Sequence, residues 1–208
     1  GPQDLAILDQ ACSTEMGAGS RLCLSGEITS ILGREGPIAV ILEPLMKRAF
    51  PTRVVAFDKT PDHNWGVPWH QDRVIAVNDK VDVDGYHNWT KKSGTWHCEP
   101  PLAVLDGMLF VRVHLDDANQ SNGAMEIAMG SHACGIVPSS HAEKVANTYP
   151  IEVCRAKRGD VLILKMLTLH CSKPATIQTG RRALRIDFST SELPSPLQWQ
   201  HENSSTEP

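Results

Sequence analysis

A histidine and an acidic residue two positions apart share one side of a β-strand, because strand side chains repeat every second residue. Such a pair can offer a metal ion two adjacent ligands. Nine histidines and 24 acids in 208 residues lead to about one such pair by chance. Four occur: His70-Asp72, His97-Glu99, His114-Asp116 and His141-Glu143. Their surroundings separate them. His141-Glu143 falls in an expected helix, where positions two apart diverge. His97-Glu99 runs into Pro100-Pro101 within a long polar stretch. His114-Asp116 closes a good strand and is the strongest rival. His70-Asp72 lies in Val67-Pro68-Trp69-His70-Gln71-Asp72, directly before an expected strand at residues 73–77.

A further ligand source is His170, which ends the apolar run 161–169. Alone, a histidine capping an apolar strand is an ordinary rim residue. Two imidazoles and one carboxylate leave three coordination positions open, the arrangement that suits non-haem Fe(II) oxygenases. Eleven positions past His170, Arg181 opens another strand and offers a planar fork for the distal carboxylate of a keto acid. Arg182 competes for that role from the opposite face of the same strand.

The elements that must position these groups are short. Residues 53–57, 73–77, 108–115, 124–127, 151–154, 161–164 and 183–188 are β-branched or alternating runs. Turns such as Asn122-Gly123 and Arg158-Gly159-Asp160 separate them. Many short strands without intervening helices point to an antiparallel sandwich or jelly roll rather than a doubly wound sheet. A short helix is expected around Leu5, Ile7 and Leu8, and a helical pattern over 37–50 is interrupted at Pro44. Residues 78–101 read as a long polar loop, a lid or binding loop whose Tyr86, His87, Trp89, Lys91, Lys92, Trp96 and His97 suit a small polar or amphipathic ligand. One domain is expected over 1–190, with 191–208 a flexible C-terminal tail.

Composition narrows the function classes. With 41% hydrophobic and 21% charged residues the chain is globular. A net charge of −4, a pI near 6.1 and the lack of a basic cluster argue against a nucleic-acid partner. No apolar stretch approaches the ~18–20 residues that cross a bilayer, so no membrane partner is expected. Gly1-Pro2-Gln3-Asp4 lacks the layout of a signal peptide. The six cysteines, Cys12, Cys23, Cys98, Cys134, Cys154 and Cys171, form no CxxC pair and read mostly as buried thiols in a reducing, cytoplasmic setting.

Four segments give the chain a resemblance to the phytanoyl-CoA dioxygenase family of Fe(II)/2-oxoglutarate oxygenases. They are Trp69-His70-Gln71-Asp72, Leu115-Asp116-Asp117, the stretch from Asn122-Gly123 to Gly130-Ser131-His132, and Arg158-Gly159-Asp160 leading on to His170 and Arg181. The resemblance covers roughly positions 53 to 189. The resemblance implies a mainly β, double-stranded β-helix (jelly-roll, cupin-like) fold with a few flanking helices. It implies Fe(II) held by His70, Asp72 and His170. It also implies 2-oxoglutarate bound by Arg181, with Ser172 and Arg112 as further contacts, and O2 as co-reactant, giving succinate and CO2. His114 and His132 become structural in this reading, and Asp116-Asp117 turn residues. A carboxylate at Asp72, where related halogenases carry a small residue, favours hydroxylation or another C–H oxidation over halogenation. A free small-molecule metabolite is the expected substrate. Two other classes remain open on the residues alone: a cupin-like metalloenzyme that uses no keto acid, and a non-catalytic β-sandwich serving as a binding module.

Overall fold

A computed structural model of the chain describes residues 1–12, 18–22, 24, 26–177 and 180–200. The helices among these residues are α1 (Pro2–Ala11), α2 (Gly26–Leu32), α3 (Pro37–Leu42), α4 (Leu102–Asp106) and α5 (Ala142–Ala146). The strands are β1 (Ala18–Arg21), β2 (Phe50–Lys59), β3 (Val67–His70), β4 (Ile75–Val77), β5 (His87–Lys92), β6 (Thr95–Glu99), β7 (Leu109–His114), β8 (Met125–Ala128), β9 (Ile151–Val153), β10 (Val161–Lys165), β11 (His170–Ser172) and β12 (Arg181–Ser189). They build a five-stranded sheet in the order β1-β2-β12-β7-β10 and a four-stranded sheet in the order β3-β11-β8-β9. Most successive strands swap sheets, and all neighbours are antiparallel. This is the expected jelly roll.

The pleat of β7 and β12 divides the molecule. Leu109, Val111 and Val113 of β7, with Leu184, Ile186 and Phe188 of β12, join Leu8, Leu32 and Leu42 of the helices in one apolar core. The alternate residues, Phe110, Arg112 and His114 on β7 and Arg181, Arg185 and Asp187 on β12, are buried on the other side of the sheet. A second core, with Phe110, Met125, Ile127, Met166 and Leu167, lies between the two main sheets.

Residues 78–101 are not a loop. They contain β5 and β6, which form a hairpin beside β4 in a third sheet of order β4-β6-β5. The hairpin turn is Ser93-Gly94, with φ of 48° and 83°. Positive φ at both central positions is the backbone a two-residue hairpin turn needs, and Gly94 is free to take it. The polar outward residues of β5 conceal the strand from composition, since Asn88, Thr90, Lys91 and Lys92 are exposed. Helix α3 stops at Leu42 because Pro44 has no N–H for the next helical hydrogen bond.

Residues 191–200, expected to be flexible, are a second correction. Leu193, Leu197 and Trp199 are buried in the second core. Asn78 N–H donates to Gln198 O, and Gln200 N–H donates to Ala76 O, so the segment docks along β4. Trp199 meets Phe50 edge-on with ring centroids 6.4 Å apart, and its Nε1 donates to Ser191 O at 2.9 Å. Its indole is too large an apolar surface to leave in water. Residues 201–208 of the expected tail, and Cys23, lie outside the described residues. Cys12, Cys98, Cys154 and Cys171 are buried free thiols, while Cys134 is exposed. No helix among the described residues is long and apolar enough to cross a membrane.

Trp199→Ala is expected to cost about 3–5 kcal/mol, read as a lowered urea midpoint. A wild-type midpoint would mean that the segment is not part of the core.

Candidate active site

Strands β3 and β11 are neighbours, and their register sets His70 opposite His170. The ring centroids are 4.2 Å apart. With Nδ1–H of His70 donated to Pro68 O and that of His170 to Thr168 O, both at 2.8 Å, each ring is oriented and keeps Nε2 as its ligand atom. Asp72 follows two residues beyond the end of β3, and its Oδ2 lies 3.2 Å from His170 Nε2. Between them Gln71 is pinned by three backbone groups. Its Nε2 donates to Gly135 O and Leu167 O, and its Oε1 accepts from Val137 N–H, all at 2.8 Å. One ligand atom each from His70, Asp72 and His170 lies within 4.8 Å of the others, and no other such group occurs among the described residues.

The rival pairs are occupied elsewhere. His97 is buried, with Arg21 Nη2 at 2.9 Å from its Nε2, and Glu99 pairs with Arg73 at 3.1 Å. His114 ends β7 and faces inward, whereas Asp116 binds Arg182 on the helix side, accepting from its backbone N–H at 2.8 Å and from its guanidinium at 2.9 and 2.8 Å. Asp117 caps a turn by accepting from Arg158 N–H at 2.9 Å. His132, His141 and Glu143 are exposed. Ser131, beside His132, has a direct link to the triad: its Oγ accepts from Leu169 N–H at 2.9 Å, immediately before His170.

A cavity of about 240 Å³ opens on the triad, walled by Phe57, Trp65, Val67, Phe110 and Met125, and Ser172, Arg112 and Arg181 also line it. No residue of 78–101 is part of this lining. Arg181 is 3% exposed, and its Nε and Nη1 have no hydrogen-bond partner among the described residues. Arg182, on the opposite face, is taken by Asp116 and Asp9. Of the two arginines, Arg181 is the one that lines the cavity. Arg112 donates from Nη1 to Met125 Sδ at 3.5 Å and lies over the Phe57 ring, 5.3 Å from its centroid, while its Nε has no hydrogen-bond partner among the described residues.

Charge is unevenly distributed. Burial pushes Arg181 down to about 10, and burial with Arg181 and Arg185 pushes Arg112 down to about 9. Lys59, on β2 opposite Arg181, falls to about 8 through burial, Arg181 and Arg112. His114 falls to about 4, by burial and then by Arg112 and Arg181. Burial alone would raise Asp72, but Arg185 and the hydrogen bond to His170 hold it well below the usual carboxylate range. His70 is lowered by burial and by His170. A buried, unpaired guanidinium is costly unless an anion joins it. Two oriented imidazoles and an ionised carboxylate suit a divalent ion. The residues therefore fit both a metal and a dicarboxylate.

Arg185, which lines the cavity, and Lys59, beside Arg181 on β2, escape the sequence reading. Arg185 donates from Nη1 to Asp72 Oδ2 and from Nε to Asp187 Oδ1, the latter at 2.8 Å. Its position four residues after Arg181 was the available signal, since both fall on the inward face of β12. Lys59 carries no comparable signal.

A sequence profile of the phytanoyl-CoA dioxygenase (PhyH) family matches residues 37–183. The chain belongs to the phytanoyl-CoA dioxygenase family. Membership makes it a non-haem oxygenase of the iron- and 2-oxoglutarate-dependent class. No curated protein matches the dioxygenase in sequence. Solved structures share its fold. AviO1 from Streptomyces viridochromogenes Tue57 is 20% identical over 93% of this chain and 87% of that one, with a TM-score of 0.62. SnoK, a non-haem alpha-ketoglutarate-dependent carbocyclase from nogalamycin biosynthesis, is 14% identical over 92% and 77%, with a TM-score of 0.62. HygX from Streptomyces hygroscopicus, solved with nickel and 2-oxoglutarate bound, is 13% identical over 91% and 79%, with a TM-score of 0.57.

The two adjacent arginines of the dioxygenase are expected to differ in stability effect. Arg182→Met loses about 1–3 kcal/mol of charge-assisted hydrogen bonding, whereas Arg181→Met is neutral or stabilising because it removes an unpaired buried cation. Urea unfolding of the two variants checks this; equal losses would contradict it.

Proposed function

We propose that His70, Asp72 and His170 hold Fe(II), that Arg181, Ser172 and Arg112 hold 2-oxoglutarate, and that the enzyme oxidises, by preference hydroxylates, a C–H bond of a small-molecule metabolite. The reading is carried by one juxtaposition: three ligand-capable side chains within 4.8 Å of one another share a cavity with Arg181, whose Nε and Nη1 have no hydrogen-bond partner among the described residues. When bound, iron and keto acid supply the oxidising power, with O2 consumed and succinate and CO2 released.

The chain's own groups have distinct tasks. His70 and His170 present imidazoles whose orientation is fixed through Nδ1. Asp72 supplies the anionic ligand. Arg181 presents free N–H donors to the distal carboxylate, with the Ser172 hydroxyl on the same wall. Phe57 and Phe110 give the cavity an apolar lining that limits water around the reacting centre. A metal site without a keto acid leaves Arg181 buried and unmatched, and a binding module leaves the convergence of the three ligands without purpose. That SnoK is a carbocyclase of a biosynthetic pathway supports a natural-product intermediate as substrate, with cyclisation as the alternative outcome.

Anaerobic Fe(II) and 2-oxoglutarate are expected to give a visible charge-transfer band that disappears in His70→Ala and Asp72→Ala. Arg181→Met is expected to raise the KM for 2-oxoglutarate by about 100-fold, equivalent to about 2–3 kcal/mol. A metabolite panel scored for substrate-dependent succinate identifies the substrate. Absence of the band in the wild-type protein would refute the proposal.

A further inference from the structure

Arg185 is the group in this cavity that the proposed chemistry does not use. Its Nη1 donates to Oδ2 of Asp72, and its Nε donates to Oδ1 of Asp187 at 2.8 Å. Asp187 in turn accepts from Arg53 Nε at 2.6 Å. The guanidinium lies over the Phe110 ring, 4.4 Å from its centroid. Carboxylate, guanidinium, carboxylate and guanidinium thus form one line from the triad into the sheet, with Arg53, Arg185 and Asp187 each less than a tenth exposed.

The line has a consequence for charge. The single carboxylate of the triad already carries an ion pair. Three arginines, Arg112, Arg181 and Arg185, line the cavity with one carboxylate, Asp72, and behind them Asp187 is shared between Arg185 and Arg53. A divalent ion entering by itself therefore adds positive charge to a chamber with a positive surplus. In a partly buried site such repulsion is only weakly screened. A dicarboxylate entering with the metal cancels it.

We propose that Arg185, by neutralising Asp72, makes tight metal binding depend on the arrival of the dicarboxylate cosubstrate, so that the two load together. This rests on the reading of the triad and of Arg181 given above, and adds to it a positioning residue that couples the two ligands. By linkage, each ligand then raises the affinity of the other by the same factor.

Mn(II) binding, followed by loss of the electron paramagnetic resonance signal of the free ion, tests this without turnover. In wild-type protein, 2-oxoglutarate tightens Mn(II) binding by at least about tenfold. Glutarate, a dianion of equal length without the keto oxygen, also tightens it. In Arg185→Gln, which keeps an N–H for Asp72 and loses the charge, Mn(II) alone binds more tightly than to wild type, and the enhancement by either dianion shrinks by about tenfold. Arg185→Lys retains the wild-type enhancement. An Arg185→Gln protein with unchanged enhancement overturns the proposal. If that variant does not fold, failure of glutarate to tighten Mn(II) on wild-type protein overturns it equally. Wild-type protein that binds no Mn(II) under any condition refutes the metal site itself, a separate outcome.

Discussion

The alternation of side chains along β7 and β12 is the constraint on which the rest depends. One face of each strand seals the helices against the sheet, and the other carries the charged groups of the cavity. Because the period is two, Arg181 and Arg185 cannot face inward unless Arg182, Leu184 and Ile186 face the helices. The register is held from both sides, by β2 and by β7. A slip by one residue would bring Arg182 into the cavity and send Arg181 out to Asp116.

The chamber is unusual less for its ligands than for its cations. A protein interior normally pairs its buried charges. Here the pairing is complete on the side of Asp187 and incomplete on the side of Arg112 and Arg181. The incomplete side opens on the cavity, so stability is given up where an anion is to be received. Such local conflicts between stability and fit are what a functional site looks like in physical terms.

The legible part of the sequence was the part written in short range. Strands β2, β7, β8, β10 and β12 show their alternation or apolar runs directly in the sequence, and His70, Asp72, His170, Arg112, Ser172 and Arg181, which the motifs and the resemblance single out, all line one cavity in the fold. Choosing His70-Asp72 over three similar pairs needed a family resemblance, because two residues of spacing say nothing about a partner a hundred positions away. The β5–β6 hairpin was missed since its exposed face is polar and its turn, Ser93-Gly94, is not among the strongest hairpin signals. The segment 191–200 was misread because three buried side chains, Leu193, Leu197 and Trp199, are scattered among prolines and serines. Arg185 was overlooked because its partner Asp72 is 113 residues away.

The strand order of the larger sheet, β1-β2-β12-β7-β10, places a late segment at its centre. Residues 181–189 sit between strands made some 125 and 70 residues earlier. A ribosome delivers β2 and β7 long before β12 can join them, and until β12 emerges each presents an open hydrogen-bonding edge on that side. The sheet thus cannot be assembled in the order in which it is synthesised, and the nascent enzyme must keep two unmatched edges from aggregating until its last third has been translated.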